Sequence, residues 1–364
     1  MAGSLQQTLK LEVATGASHL STRLHFKSIA TRAGRATKHE STARFFHRNS
    51  LLTLGDGNQK LGHACQLCGT AGQGRTQRAN IELFLTLFGK KFPSPILVSP
   101  IRVQSTAHPQ AEVASARAAA KLNVPFILST ASSTNMETVA EAHAAASECV
   151  DSTEFAKPDR WYQLYWPKDD KLTVSLLRRA EVSGFSVLVV TLDTFSLGFR
   201  PADLDQSYLP FIWAEGCAIG FSDPEFNENI SLFSLAWIAE VFSGTHKTWE
   251  DLKLLRDSWN GPIVFKGIQS VEDAHLAINQ GMNVIVVSNQ VRKSDLTIIF
   301  DSGIRTGSDI LKALTLGAQA VLIGRPYIYG LALGGQEGVE HVLKCLLADA
   351  DITYKFGPQE YCGT

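Results

Sequence analysis

The chain lacks an apolar segment long enough to cross a bilayer, and it contains little cysteine. Its longest apolar stretch, residues 230–242, is interrupted by Glu240 and falls short of the ~20 residues that a membrane helix needs. Only 6 of the 364 residues are cysteine, which excludes a disulfide scaffold and indicates a reducing compartment. Cys65 and Cys68 form a single C-x-x-C pair with no second pair, so we interpret that spacing as chance and predict no metal site.

Acidic residues are scarce at the start of the chain. The first 60 positions hold nine lysines and arginines against three acidic residues, although the formal net charge of the whole chain is −1. An acid-poor, Ser/Thr/Arg-rich start is typical of a mitochondrial transit peptide. The alternative, which we favour, is a poorly ordered basic leader on a cytoplasmic protein. The basic residues form no recognisable nucleic-acid-binding module, so no nucleic-acid partner is predicted.

From Phe88 onward, short Val/Ile/Leu-rich runs alternate with amphipathic stretches, as parallel strands alternate with covering helices. Strands are predicted at 95–101, 126–130, 161–166, 186–192, 262–268, 284–289, 297–303 and 320–326. Helices are predicted at 111–122, 136–147, 172–184, 249–259, 271–281, 306–317 and 336–351. This order predicts an α/β fold, a TIM (β/α)8 barrel. A doubly wound open sheet is the alternative, disfavoured because no G-x-G-x-x-G follows the first strand.

One crossover helix of the barrel is predicted to be missing. Only residues 290–296 separate the sixth and seventh predicted strands, whereas a parallel crossover normally needs about a dozen residues and is usually a helix. Seven extended residues reach at most ~24 Å, which suffices to run back along a strand but not to form a helix. By contrast, the fourth and fifth strands are separated by a long excursion, residues 195–248, at the end of the barrel where active sites are built.

Glycines and arginines follow the last two predicted strands, where barrels of this type commonly bind phosphate. Glycine permits close approach of the backbone, helix N-termini offer free N–H groups, and arginine supplies bidentate charge. Residues 301–307 (DSGIRTG) end the seventh predicted strand and open a helix, and Gly324, Arg325 and Pro326 end the eighth, so we predict a phosphate-binding pair of loops. The alternative is a pair of turns with solvent-exposed arginines.

Polar residues also end the other apolar strands. They are Ser129, Gln163, Tyr165, Thr191, Asp193, Lys266, Ser288 and Asn289. Each alone would more often be a satisfied polar group of the core, and a lysine at such a position is costly to bury without a partner. Together, amide, hydroxyl and ammonium groups suit a flat heteroaromatic ring with carbonyl and imide edges. Flavin mononucleotide (FMN) combines such a ring with a phosphate.

Several segments resemble the family of FMN-dependent α-hydroxy-acid oxidases and dehydrogenases, which includes lactate 2-monooxygenase and glycolate oxidase. They are LFGKKFPSPILVSP (87–100), FILSTASS (126–133), WYQLYWPKDD (161–170), SVLVVTLDTFSLGFRPADLD (186–205), PIVFKGI (262–268) and residues 299–326. GTAGQGRTQRAN (69–80) is a fainter match to the family's glycine-rich N-terminal segment. The resemblance divides the chain into a basic extension, residues 1–86, and a barrel, residues 87–364.

The resemblance implies oxidation of a small, lactate-like 2-hydroxy acid to the 2-oxo acid, with oxygen or another acceptor taking the electrons, in a homo-oligomer. The FMN ring and ribityl chain would contact Pro100, Ile101, Ser129, Gln163, Thr191, Lys266 and Ser288. The FMN phosphate would lie within the two predicted loops, against Asp301, Gly303, Arg305, Gly324 and Arg325. Tyr165 and Arg200 would bind substrate, Asp193 would orient a catalytic histidine, and Arg292 would replace a second carboxylate-binding arginine.

The catalytic histidine that the resemblance implies is absent. The family's sixth strand ends in Ser-Asn-His-Gly-Gly-Arg-Gln, whereas this chain has Gln290 in the histidine's place. An amide has no pKa suited to a general base, and no other histidine lies at a position to replace it. We therefore expect weak or absent activity. The alternatives are a catalytically inactive flavin-binding barrel, the product of a truncated gene, or an FMN barrel of the dihydroorotate dehydrogenase type, which Tyr165 and Arg200 disfavour. Arg102 replaces a small residue of the family beside the flavin.

Overall fold

Eight parallel strands close into a barrel in this protein. The computed structural model describes residues 83–150, 153–198, 201, 205, 210–229, 233–282, 284–287 and 296–356. The barrel strands are β3 (Ile96–Val98), β4 (Phe126–Ser129), β5 (Arg160–Leu164), β6 (Val187–Thr191), β7 (Ile263–Ile268), β8 (Val284–Val287), β9 (Thr297–Phe300) and β10 (Ala320–Ile323). They follow one another in chain order, and β10 pairs with β3 to close the ring. The predicted TIM barrel is confirmed.

Helices follow most of the strands and pack outside them. They are α1 (Ala111–Lys121), α2 (Met136–Ser147), α3 (Asp170–Val182), α4 (Ala218–Phe221), α5 (Pro224–Asn229), α6 (Phe233–Val241), α7 (Leu252–Ser258), α8 (Val271–Asn279), α9 (Gly307–Thr315) and α10 (Arg325–Phe356). Caps set several starts: the Asn135 side chain accepts a hydrogen bond from Thr138 N at 2.8 Å, and Thr306 and Asp309 form a capping box on α9.

The end of the last strand was predicted incorrectly. Residues 320–326 were assigned to a strand, but β10 ends at Ile323 and α10 begins at Arg325. Pro326 therefore lies in the first turn of a helix, where its missing N–H costs nothing. The helix bends at Gly334 and Gly335, the second of which has φ 56°. The predicted tail helix, 336–351, is the part beyond this bend.

A two-stranded hairpin closes the amino-terminal end of the barrel. Strands β1 (Leu85–Leu87) and β2 (Lys90–Phe92) pair antiparallel, and Leu85, Leu87 and Phe92 are at most 2% exposed. They belong to the same apolar core as Trp161 and the other side chains that fill the barrel interior. The sequence analysis missed this hairpin, because three-residue strands carry too little alternation to be recognised.

Alternation along the strands separates the barrel interior from its outer face. Interior side chains of the core include Ile127 on β4, Val189 on β6, Val264 on β7 and Ile299 on β9. Residues two positions further along these strands, toward the carboxyl end, therefore also face inward. The polar residues predicted to form a site, such as Ser129 and Thr191, share this inward parity.

The outer face of β8 and β9 borders a cavity of about 620 Å³. Val287, Ile298 and Phe300 line it from the sheet, and α8 and α9 flank it with Val271 and Leu316. The connection that would cover this face, residues 288–295, lies outside the described residues, so the absence of a crossover helix stays a prediction. Among the described residues, no helix is both long and apolar enough to span a membrane.

A histidine is buried near the amino end of β5. His143, on α2, has no exposed surface, and burial lowers its pKa from 6.5 to about 4, with Arg160 adding to this effect and Asp159 opposing it. The folded chain therefore holds this imidazole neutral at pH values where an unfolded chain binds a proton to it.

We expect acid to weaken the fold through His143. Below pH 6.5 the His143 imidazole binds a proton in the unfolded state, but in the folded state it does so only near pH 4. The contribution of this group to stability is therefore complete above pH 6.5 and is lost as the pH falls from 6.5 to about 4. The free energy of unfolding should fall by about 3 kcal/mol across the window from this group alone. Urea denaturation of H143F between pH 7 and 4 should show a smaller decrease. H341N, which changes an exposed histidine on α10, should retain the full decrease; equal profiles for H143F and the unmodified chain would contradict the assignment.

Candidate active site

Three buried polar side chains form a hydrogen-bonded row across neighbouring strands at the carboxyl end of the barrel. Ser129 Oγ donates to Gln163 Oε1 at 2.9 Å, and Gln163 Nε2 donates to Thr191 Oγ1 at 2.9 Å. We call Ser129, Gln163 and Thr191 the polar row. Strand register sets them side by side, because Ser129 lies opposite Gln163 and Thr191 lies opposite Lys266. The bonds fix which way the Gln163 amide points.

A partly buried ion pair completes this ring of polar groups. Lys266 Nζ on β7 lies 2.9 Å from Asp301 Oδ2, which follows β9, and the two side chains are 15% and 16% exposed. Burial by itself lowers the pKa of Lys266, but attraction to Asp301 and, less strongly, to Asp193 outweighs it and holds the pKa above its usual value. The site therefore contains a fixed positive charge at neutral pH.

Tyr165 and Asp193 extend the ring toward solvent, two residues beyond Gln163 and Thr191 on their strands. Both are electrostatic neighbours of Lys266. Asp193 is exposed, and its Cγ would lie 2.6 Å from a Cβ at Gly267, which has φ 97°. Only glycine permits this approach of the carboxylate to the β7 backbone. The Tyr165 ring packs at 5.0 Å, centroid to centroid, on Phe242.

The two loops predicted to bind phosphate lie at the same end. Ser302 and Gly303 have φ 85° and 80°, and a Cβ at Gly303 would meet nothing within 4 Å. Arg305 and Arg325 are exposed and pair with no carboxylate of the described residues. Binding of a phosphate by these loops stays a prediction.

The start of α9 differs from the expected open helix N-terminus. The N–H groups of Arg305 and Thr306 donate to Asp309 Oδ2 at 3.2 and 3.1 Å, and Gly307 N donates to Asp349. Carboxylates of the chain itself therefore satisfy these donors. Recognition of an anion at this loop is left to the Gly303 backbone and to the arginine side chains.

Residues 99–104, which we call the first loop, follow β3 and form one wall of the site. This loop contains Pro100 and Ile101, and Ile101 Cδ1 would lie 3.8 Å from a Cβ at Gly324, so the wall adjoins the last strand. Arg102, expected beside the flavin, has its guanidinium carbon 5.9 Å from the Phe211 ring centroid. Phe211 belongs to the long excursion and was not predicted to contribute.

Five predicted site residues, Arg200, Ser288, Asn289, Gln290 and Arg292, lie outside the described residues. Within the described part of the chain, His143, His275 and His341 lie on covering helices, and His108 accepts a hydrogen bond from Gln110 N just before α1. His246 packs on Phe195 and lines a cavity that Thr191 and Phe265 also line. No histidine of the described residues joins the polar row.

The chain matches known proteins over the whole barrel. The profile of the FMN-dependent dehydrogenase family matches residues 75–292 and 290–356. The chain belongs to this family. An FMN-dependent alpha-hydroxy acid dehydrogenase of Schizosaccharomyces pombe is 44% identical over 308 residues, covering 75% of this chain and 73% of that protein. An L-lactate oxidase of Lysinibacillus sphaericus is 37% identical over 290 residues, covering 73% and 72%.

Solved structures agree with this assignment. The crystal structure of mandelate oxidase is 30% identical to this chain, covers 78% of it and 80% of its own length, and has a TM-score of 0.63. Membership of the FMN-dependent dehydrogenase family makes the chain an FMN-dependent α-hydroxy-acid oxidoreductase by family, and the family resemblance expected from the sequence is confirmed.

The residues present fit FMN, the cofactor of the family. The polar row offers amide and hydroxyl groups in one plane of strand ends, and Lys266 adds a positive charge beside them. The open backbone at Gly303 and the exposed Arg305 and Arg325 follow the last two strands at the same end of the barrel. A flat polar ring joined to a phosphate matches this donor set. The individual contacts with the cofactor stay predictions.

The sequence analysis missed two contacts of the site, the ion pair of Lys266 with Asp301 and the packing of Phe242 on Tyr165. Asp301 was predicted to lie near phosphate but not to pair with Lys266, although both have inward parity on their strands. Phe242 contacts Tyr165 from the end of α6, and nothing in the sequence marks it, because it reaches the site through the fold of the long excursion.

We expect the Lys266–Asp301 pair to stabilise the fold as well as the site. K266M should reduce the free energy of unfolding by about 2 kcal/mol or more, because it leaves a partly buried carboxylate without its cation. K355M is the matched control: Lys355 pairs with Asp351 at 2.7 Å, but the two side chains are 61% and 51% exposed, and loss of this pair should cost about 0–1 kcal/mol. Urea denaturation of both variants tests this, and equal losses would contradict the ranking.

Proposed function

We propose that this barrel binds FMN and a small, lactate-like 2-hydroxy acid at the carboxyl end of its strands, and that it oxidises the acid to the 2-oxo acid slowly. The ring formed by the polar row and the Lys266–Asp301 pair is the observation that carries the proposal. The names of the relatives, an L-lactate oxidase and a mandelate oxidase, support a 2-hydroxy acid as the substrate class.

Each part of the site has a definable task in this proposal. Bound FMN supplies a ring that accepts a hydride. The polar row and Lys266 hold that ring, and the Lys266 ammonium stabilises negative charge on its polar edge. Arg305 and Arg325 bind the phosphate. The Tyr165 hydroxyl orients the substrate hydroxyl, with its ring held by Phe242, and Arg200 binds the substrate carboxylate.

Slow turnover follows from the residue at position 290. Removal of the substrate hydroxyl proton requires a general base, and glutamine cannot supply one at neutral pH. The family profile matches this chain in two segments that overlap at residues 290–292, so its alignment is interrupted at this place. A catalytically inactive flavin-binding barrel is the second candidate, and the same residue favours it.

The direct test is anaerobic reduction of the bound cofactor. The purified chain should bind FMN and be yellow, and its visible flavin absorbance should bleach slowly when L-lactate is added, because a hydride passes to the flavin. Q290H should bleach faster, by up to ~10²-fold, the lower range of what a general base contributes. Q290N is the matched control and should remain as slow as the unmodified chain.

The outcomes separate the two candidates. Bleaching of the unmodified chain as fast as in an active oxidase would contradict slow turnover. No bleaching with any 2-hydroxy acid, in a chain that binds FMN, would favour the inactive barrel. A folded chain that binds no FMN would contradict both.

A further inference from the structure

A buried polar network lies behind the first loop and is not part of the site described above. Its members are Gln104, Glu112 and Tyr327, which are 2%, 0% and 0% exposed. Glu112 is on α1 and Tyr327 on α10, so the network joins the first loop to two covering helices.

The Glu112 carboxylate bridges the loops that follow β3 and β4. Oε1 accepts hydrogen bonds from Gln104 N at 3.1 Å and from Ser133 N at 3.0 Å, and Oε2 accepts from Thr134 Oγ1 at 3.0 Å. Two backbone segments of different strands thus meet on one carboxylate. Burial raises the pKa of Glu112, while these hydrogen bonds oppose the rise.

Gln104 and Tyr327 carry the connection to the wall itself. Gln104 Nε2 donates to Ile101 O and to Tyr327 Oη, each at 3.2 Å, and Tyr327 Oη donates to Ser99 O at 2.9 Å. Ser115 Oγ on α1 donates to Gln104 Oε1 at 2.7 Å. The backbone carbonyls on both sides of Pro100 are therefore held from behind.

The first loop has a backbone conformation that needs such support. Val103 has φ 53°, in the left-handed region that β-branched residues avoid. A residue in this region is strained and persists only where its surroundings impose the conformation. Val103 N donates to Ala131 O at 2.9 Å, beside the bridge made by Glu112. The hydrogen bonds of Gln104, Glu112 and Tyr327 therefore stabilise the strained turn at Val103.

We propose that Glu112 is a positioning residue for the cofactor: through Gln104 it holds the Pro100–Ile101 wall in the shape that packs against the flavin ring. The inference rests on the proposed placement of FMN at this end of the barrel. The bridge, and not the negative charge, is what matters, because Oε1 alone joins the two loops.

Two substitutions at this position separate the bridge from the charge. E112Q keeps an oxygen that can accept from Gln104 N and Ser133 N, and its amide N–H can donate to Thr134 Oγ1. E112A removes the bridge. Titration of each apoprotein with FMN, followed by quenching of flavin fluorescence, should show an affinity about tenfold lower for E112A, or about 1.4 kcal/mol. E112Q should remain within about threefold of the unmodified chain, a difference under 1 kcal/mol.

A second readout distinguishes positioning from loss of stability. The visible circular dichroism of FMN at saturation reports the surroundings of the ring, and it should change in E112A but not in E112Q. S186A is the control, because Ser186 Oγ donates to the buried Asp159 at 2.7 Å at the opposite end of the barrel. It removes one hydrogen bond and should leave both FMN affinity and dichroism unchanged.

Y327F provides a milder test if E112A does not fold. It removes only the hydroxyl between Gln104 and Ser99 and should lower FMN affinity by about threefold, under 1 kcal/mol, with altered dichroism. The positioning role would be overturned if E112A and Y327F both kept the FMN affinity and the dichroism of the unmodified chain. If E112A does not fold, unchanged values in Y327F alone would overturn it. Equal losses in E112A and E112Q would also overturn it. An unmodified chain that binds no FMN contradicts the proposed function itself.

Discussion

The alternation of side chains along eight hydrogen-bonded parallel strands is the constraint on which the rest of this structure depends. Register sets Ser129 opposite Gln163 and Thr191 opposite Lys266, with all four side chains facing inward. A slip of one residue would turn a strand's polar side chain to the outer face and an apolar one into the mouth. The same pairing therefore both fills the core and forms the site.

The hairpin that covers the core and the candidate active site lie at opposite ends of the barrel. At the amino-terminal end the β1–β2 hairpin covers the core, and Asp159 accepts hydrogen bonds from Lys90, Trp161 and Ser186. At the carboxyl-terminal end the polar row and the Lys266–Asp301 pair lie at the ends of the strands, with Asp193 and Tyr165 beside them. Barrels of this type share this division, because the loops at the carboxyl end tolerate change without loss of the core.

Much of the site could be predicted from the sequence. Polar residues that end apolar runs identified the polar row, Lys266, Tyr165 and Asp193, because period-two alternation is a local property of each strand. The neighbours that shape these groups could not be found in this way. Phe242 and Phe211 come from the long excursion. Tyr327 lies on α10, and the sequence predicts a strand where this helix begins. Their distance along the chain from the groups they contact hides them.

The sequence by itself determined the barrel, the family and the positions of the inward polar residues, since all three depend on short patterns read along the chain. Only the tertiary structure decided how those residues pair. Closure of the ring places Lys266 against Asp301 and not against a nearer residue in sequence, and the packing of α1 behind two loops gives Glu112 its three donors. The physical reason is that hydrogen bonds and ion pairs depend on distances between atoms in space. Closure of the barrel sets those distances, whereas alternation along one strand does not.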